Sequence, residues 1–249
     1  MAKANGILKI EGTVEDLTFY KKDGKSFVRR KGGVSRERIA TDPNYVRTRE
    51  NNNEFSLCTA SGKTLRLALG SLVFKAKDNK LSSRLLQTMF RIKNFDTVSV
   101  RGQRLVSIGL GTVEGKQQLA GFNFNINAPL QGVLFAPYEL DVTTGKISIL
   151  DLIPLEQLHF PQGATHVSLQ SAVLAIDFDT DESELALSNI VNLPIGMTAS
   201  NVDLTPTSMP VSAGVTLFLL TVSFFQEVNG IQYSLKNEDY SVLNVLDVV

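Results

Sequence analysis

Residues that could do chemistry are few, and their spacing argues against most of the chemistry they suggest. Asp177-Phe178-Asp179-Thr180-Asp181 offers alternate carboxylates, the hard oxygen donors that calcium prefers. A calcium loop would also want glycine at its sixth position and glutamate at its twelfth. Glu182 and Ser188 stand there instead, so an acidic turn after a strand is the simpler reading. His159 and His166 are the two histidines. The Phe160-Pro161-Gln162-Gly163 between them suits a loop rather than two metal ligands on one helix face. Cys58 is the single cysteine and lies in a Leu/Ala-rich helical stretch with no histidine near it in sequence, so a buried, inert thiol is expected.

Nucleotide and hydrolase signatures fail in the same way. Ser61-Gly62-Lys63-Thr64 ends like a phosphate-binding loop, but the first glycine would have to stand where Leu57 is. Ile108-Gly109-Leu110-Gly111 lacks a third glycine, and no G-x-S-x-G elbow occurs. The residues point to no enzyme, no cofactor and no metal.

Charge is the informative feature. The chain has 249 residues and a formal net charge of zero. Residues 1–106 nevertheless hold 22 Lys and Arg against 10 Asp and Glu, a net +12, and residues 107–249 hold 3 against 15, a net −12. Such asymmetry usually marks a binding surface rather than a requirement of folding; the alternative is that the two parts face each other within one molecule. The basic residues concentrate between Lys21 and Glu54. Lys21, Lys22, Lys25, Arg29, Arg30, Lys31, Arg36, Arg38, Arg47 and Arg49 are the candidate interaction residues, for another copy of the chain or for a polyanion. Tyr20, Phe27 and Tyr45 interleave with them and could stack bases. The chain has no tryptophan, which counts against a sugar-binding sandwich.

These residues must be positioned by local structure that is readable in part. Ile7–Glu11, Asp16–Lys21 and Ser26–Arg30 read as short strands, the last two joined by Asp23-Gly24, a type I′ hairpin signal. After the Gly32-Gly33 break, Asp42-Pro43 opens a helix expected to run to about Ala60. A kink or a short break at Ser61-Gly62 and a helix over Lys63–Ala76 follow. Leu81, Leu85, Met89 and Ile92 then repeat at helical spacing, with Lys80, Arg84 and Arg91 on an adjacent face. Thr97–Gln103 reads as a linker. Beyond Leu105 the pattern is β: a hairpin over Tyr138–Leu152, strands over Val167–Phe178, Leu185–Leu187 and Val202–Thr205, a hairpin over Val215–Leu235 turning at Asn229-Gly230, and a last strand over Val242–Val248.

The fold class expected is α+β: a small N-terminal hairpin sheet, two or three helices, then a mostly antiparallel β-sandwich. Two domains are expected, 1–104 and 105–249. The longest apolar run, Val215–Phe225, has 11 residues, short of the roughly 20 a spanning helix needs. No secretory signal is evident at the start, so a soluble cytoplasmic protein without membrane partners is expected.

Several segments resemble an uncharacterised family of Bacteroidota proteins of similar length. They are Asn5-Gly6-Ile7 with Glu11-Gly12-Thr13, Phe19-Tyr20-Lys21, Val28-Arg29-Arg30-Lys31-Gly32-Gly33, Asp42-Pro43, Arg47-Thr48-Arg49-Glu50-Asn51 with Glu54-Phe55, and Phe160-Pro161-Gln162-Gly163-Ala164-Thr165-His166. The resemblance implies a structural or assembly protein and no assigned activity. The expectation is a non-enzymatic protein that assembles head-to-tail with other copies through the basic arm Lys21–Glu54. Nucleic-acid binding by the basic half is the alternative.

Overall fold

The computed structural model describes residues 2–3, 10–211, 214–235 and 240–249. The chain divides into two compact units, 1–49 and 50–249.

In the first unit, strands β1 (Ala2–Lys3), β2 (Gly12–Val14), β3 (Leu17–Lys22) and β4 (Lys25–Arg30) form one antiparallel sheet in the order β1-β4-β3-β2. The turn between β3 and β4 has positive φ at both central residues, 52° at Asp23 and 72° at Gly24, as a type I′ turn requires. Most of the strand expected over Ile7–Glu11 lies outside the described residues. Helix α1 (Arg36–Thr41) was not legible in advance. Ser35 caps it, accepting from the Arg38 amide at 3.2 Å. Asp42 does accept from the Asn44 amide at 2.9 Å, but the turn it opens is a short 3-10 helix, Pro43–Tyr45.

Helix α2 (Val46–Leu69) follows, and the boundary between the units falls inside it. It is unbroken at Ser61-Gly62, where a kink or a short break was expected. Gly62 is buried on α2, and a Cβ there would only reach ordinary contact with Leu85 at 3.7 Å. Packing holds the helix where propensity alone would weaken it. The Asn51–Asn53 run is held similarly: Asn53 donates to the Gly102 carbonyl at 2.6 Å. The break comes instead at Gly70, with φ 48°, before α3 (Ser71–Ala76).

Helix α4 (Leu81–Lys93) buries the expected stripe: Leu81, Leu85, Met89 and Ile92 are all at most 3% exposed. Three further short helices replace the β structure expected just beyond Leu105: α5 (Val106–Leu110), α6 (Val113–Leu119) and α7 (Leu130–Val133). Two glycines explain part of this. A Cβ on Gly109 would collide with the Ile92 carbonyl of α4, and one on Gly115 would collide with the Gly109 carbonyl. Helices α4, α5 and α6 therefore meet backbone to backbone, a tertiary arrangement that apolar periodicity does not announce.

The remaining elements are β5 (Glu139–Leu140), β6 (Ile147–Leu152), α8 (Pro154–Gln157), β7 (His166–Ile176), β8 (Ser183–Leu187), β9 (Val191–Pro194), β10 (Ser200–Leu204), β11 (Val215–Val228), β12 (Ile231–Ser234) and β13 (Val242–Val248). A six-stranded antiparallel sheet is built on the long β7–β11 pair, with β8 and β9 along the outer side of β7 and β12 and β13 along that of β11. A three-stranded sheet runs β10-β6-β5.

The large sheet is buried on both faces. Leu174, Ile176, Leu217 and Leu219 join a core with Leu65, Leu85, Met89 and Leu110 of the helices. Val167, Leu169, Val222 and Phe224 join a second core with Ile147, Ile149, Val202 and Leu204 of the small sheet. This explains why β7 and β11 read as near-continuous apolar runs. The fold class is α+β, with more helices than the two or three expected. The helices of 50–104 share a core with the large sheet, and the compact units divide at Arg49/Glu50.

Candidate functional site

The hairpin β3–β4 sorts the basic residues onto two faces. The register pairs Leu17 with Arg30, Thr18 with Arg29, Phe19 with Val28, Tyr20 with Phe27, Lys21 with Ser26 and Lys22 with Lys25. Directly opposed residues share a face, and faces alternate along a strand. One face therefore carries Leu17, Phe19, Lys21, Ser26, Val28 and Arg30. The other carries Thr18, Tyr20, Lys22, Lys25, Phe27 and Arg29.

On the first face the charges are met within the unit. Lys21 lies 2.7 Å from Glu11, and Arg30 lies 3.9 Å from Asp16. Val14, opposed to Leu17, is 55% exposed and Leu17 is 45% exposed. On the second face the rings of Tyr20 and Phe27 stack with centroids 5.7 Å apart and planes at 24°. The Arg29 guanidinium sits 5.5 Å from the Tyr20 ring centroid. Among the described residues, no carboxylate pairs with Lys22, Lys25 or Arg29.

The other predicted residues do not converge on one site. Arg38 pairs with Asp42 at 3.2 Å and lies over Tyr45. The Asn44 amide and Arg38 together hold the Asp42 carboxyl below its usual range. Arg49 is structural: it donates to the carbonyls of Ile39, at 2.7 Å, and Asp42, at 3.0 Å. Lys31, Arg36 and Arg47 are exposed. The expected arm ran to Glu54, but Glu54 is 4% exposed in the second unit. There it accepts from Lys93 and from the Gly102 amide, with Arg104 at 3.9 Å. Burial works against its charge, yet these partners hold its pKa below the usual value. Of the basic face foreseen on α4, Arg84 is also internal: it pairs with Asp78 and donates to the carbonyls of Asn123 and Phe124.

What is notable about residues 10–49 is burial. Not one of them is buried. The unit has 12 Lys and Arg against 6 Asp and Glu, a net +6, and residues 50–249 have 13 against 19, a net −6. In the second unit Asp179, Asp181, Glu182 and Glu184 are exposed along and before β8.

The carboxylates, histidines and cysteine that could do chemistry are absorbed in structure. Asp177 accepts from the Asp179 amide, Asp179 from the Ser107 hydroxyl at 2.6 Å, and Asp181 from the Thr64 hydroxyl at 2.7 Å. Among the described residues, no group of three or more His, Cys, Asp or Glu is placed to hold a metal ion. His159 lies against the Tyr240 ring, and His166 contacts Thr165 and Glu227. Burial pushes the Cys58 thiol up to about 11, as an inert core cysteine requires. No helix among the described residues is long and apolar enough to cross a membrane.

No protein-family model, curated protein or solved structure matches the chain. The division of the hairpin into two faces was available from the sequence: counting outward from Asp23-Gly24 yields every pair.

Proposed function

We propose that the protein is a non-enzymatic structural protein that assembles head-to-tail with its own copies, using the 1–49 unit as a connector to the acidic 50–249 unit of a neighbour. The observation that carries this reading is that the first unit forms ordered strands and helices while none of residues 10–49 is buried. A sheet without a buried layer is marginal by itself, and a partner surface would supply the missing layer. The apolar row of Val14, Leu17, Phe19 and Val28, exposed at Val14 and Leu17, suits such a contact. Covering Val14 and Leu17 would stabilise it by about 1 kcal/mol each.

Charge complementarity favours a second copy as the partner. The connector carries a net +6 and the other unit a net −6, with Asp179, Asp181, Glu182 and Glu184 exposed beside the strand β8. A heterologous contact of this kind propagates into a ring, tube or filament. A bacterial, cytoplasmic setting belongs to the same proposal, following the resemblance of the opening segments to Bacteroidota proteins.

Leu17→Asp tests the reading without touching a core, because Leu17 is 45% exposed. Sedimentation velocity of the variant should show a shift to the single-chain species. An unchanged distribution of sizes would remove the apolar row from the contact.

A further inference from the structure

We infer that the second face of the hairpin sheet, carrying Tyr20, Lys22, Lys25, Phe27 and Arg29, binds single-stranded nucleic acid. This site is separate from the apolar row used in the assembly reading. The argument begins with charge. Lys22 stands directly opposite Lys25, and like charges so placed repel. Lys21 and Arg30, on the opposite face, each have a carboxylate from their own unit. The second face instead keeps three cations with no carboxylate partner among the described residues. That is the arrangement a polyanion neutralises.

The aromatic rings narrow the class. Same-face rows of an antiparallel strand follow one another at roughly 7 Å. Here the rows run Thr18–Arg29, Tyr20–Phe27 and Lys22–Lys25. The stacked pair of rings is thus flanked by cations on both sides, with the Arg29 guanidinium 5.5 Å from the Tyr20 centroid. Bases of a single strand can reach these rings while adjacent phosphates meet Arg29 and the lysines. A duplex keeps its bases stacked inside and would engage the cations alone. An acidic protein surface would likewise leave the rings without a matching π-face.

The test is fluorescence anisotropy of a labelled single-stranded oligothymidylate on the full chain, with duplex DNA of equal length and heparin as competitors. Three neutralised phosphates predict a log–log salt slope of about −2, hence a loss of roughly 20-fold in affinity between about 50 and 200 mM salt. The double variant Lys22→Gln/Lys25→Gln removes a repulsive pair and so keeps the hairpin. It should flatten the slope by about 1.4. Tyr20→Leu keeps an apolar residue in the sheet and should weaken single-strand binding roughly tenfold, with heparin binding unaffected. The inference is overturned if the oligonucleotide does not bind at low salt. It is overturned equally if duplex and heparin compete as well as single strand and Tyr20→Leu has no effect. Loss of self-association in Lys22→Gln/Lys25→Gln, with nucleic-acid binding intact, would assign the face to a protein contact and also overturn it.

Discussion

Lys22 and Lys25 face each other across the two strands that leave the Asp23-Gly24 turn. Both side chains are exposed, so water screens the repulsion, and the pair costs the hairpin only a few tenths of a kcal/mol. Lys25→Glu would convert it to an attractive cross-strand pair. The variant should slow hydrogen exchange of the β3 and β4 amides by about 0.5 kcal/mol while weakening single-strand binding. A more stable hairpin that binds as well as the parent would show that the pair has no role in recognition.

Acid should loosen the second unit through three carboxylates. Burial opposes the charge of Asp96, but amide donors from Ser99, Leu105 and Val98 overcome it and hold its pKa at about 2. Asp78 and Glu54 are held low in the same sense, by amide groups and by Arg84 and Lys93. Each of these groups binds its proton more weakly folded than unfolded. The stability they contribute is therefore present above the ordinary carboxylate pKa and lost as pH falls through the folded value. Asp96 alone accounts for about 2 kcal/mol of this. The urea midpoint should be level down to about pH 4 and fall steeply toward pH 2. A midpoint unchanged over that window would mean that these carboxylates are not so held.

Gly115→Ala should be among the most damaging single-methyl changes in the chain. The added carbon would meet the Gly109 carbonyl, which belongs to a helix itself pressed against α4. Backbone cannot yield as a flexible side chain can, so a loss of about 3 kcal/mol or more is expected. Gly196→Ala is the control, since nothing lies within 4 Å of its added carbon; its thermal midpoint should match the parent. Equal behaviour of the two variants would contradict the close packing of α5 and α6.

The parts of the fold that were legible have a local cause. Asp23-Gly24 and Asn229-Gly230 fix both of their hairpins, since each dipeptide supplies the two positive φ values that the turn needs. The stripe on α4 and the strands β7, β11 and β13 follow from periodicity and burial. What was missed depends on contacts distant in sequence. Gly62 stays helical because α4 covers it, and Gly109 and Gly115 form helices because backbone must approach backbone there. Glu54 reads as the end of a charged arm until Lys93, 39 residues away, is seen to pair with it. Within the candidate site, Arg38 and Arg49 were claimed by their neighbours in α1 and the following turn. Among the described residues Lys22, Lys25 and Arg29 have no carboxylate partner, because alternation puts them on the face away from the acids that pair with Lys21 and Arg30.

The central claim is self-assembly through the basic unit, and light scattering of nuclease-treated protein after size exclusion, at low and at high salt, tests it most directly. The account predicts regular particles many times the 27.3 kDa chain mass at low salt, dissociating as salt screens the contact between the basic and acidic units. A single-chain mass at every salt concentration, with nucleic acid removed, would contradict it.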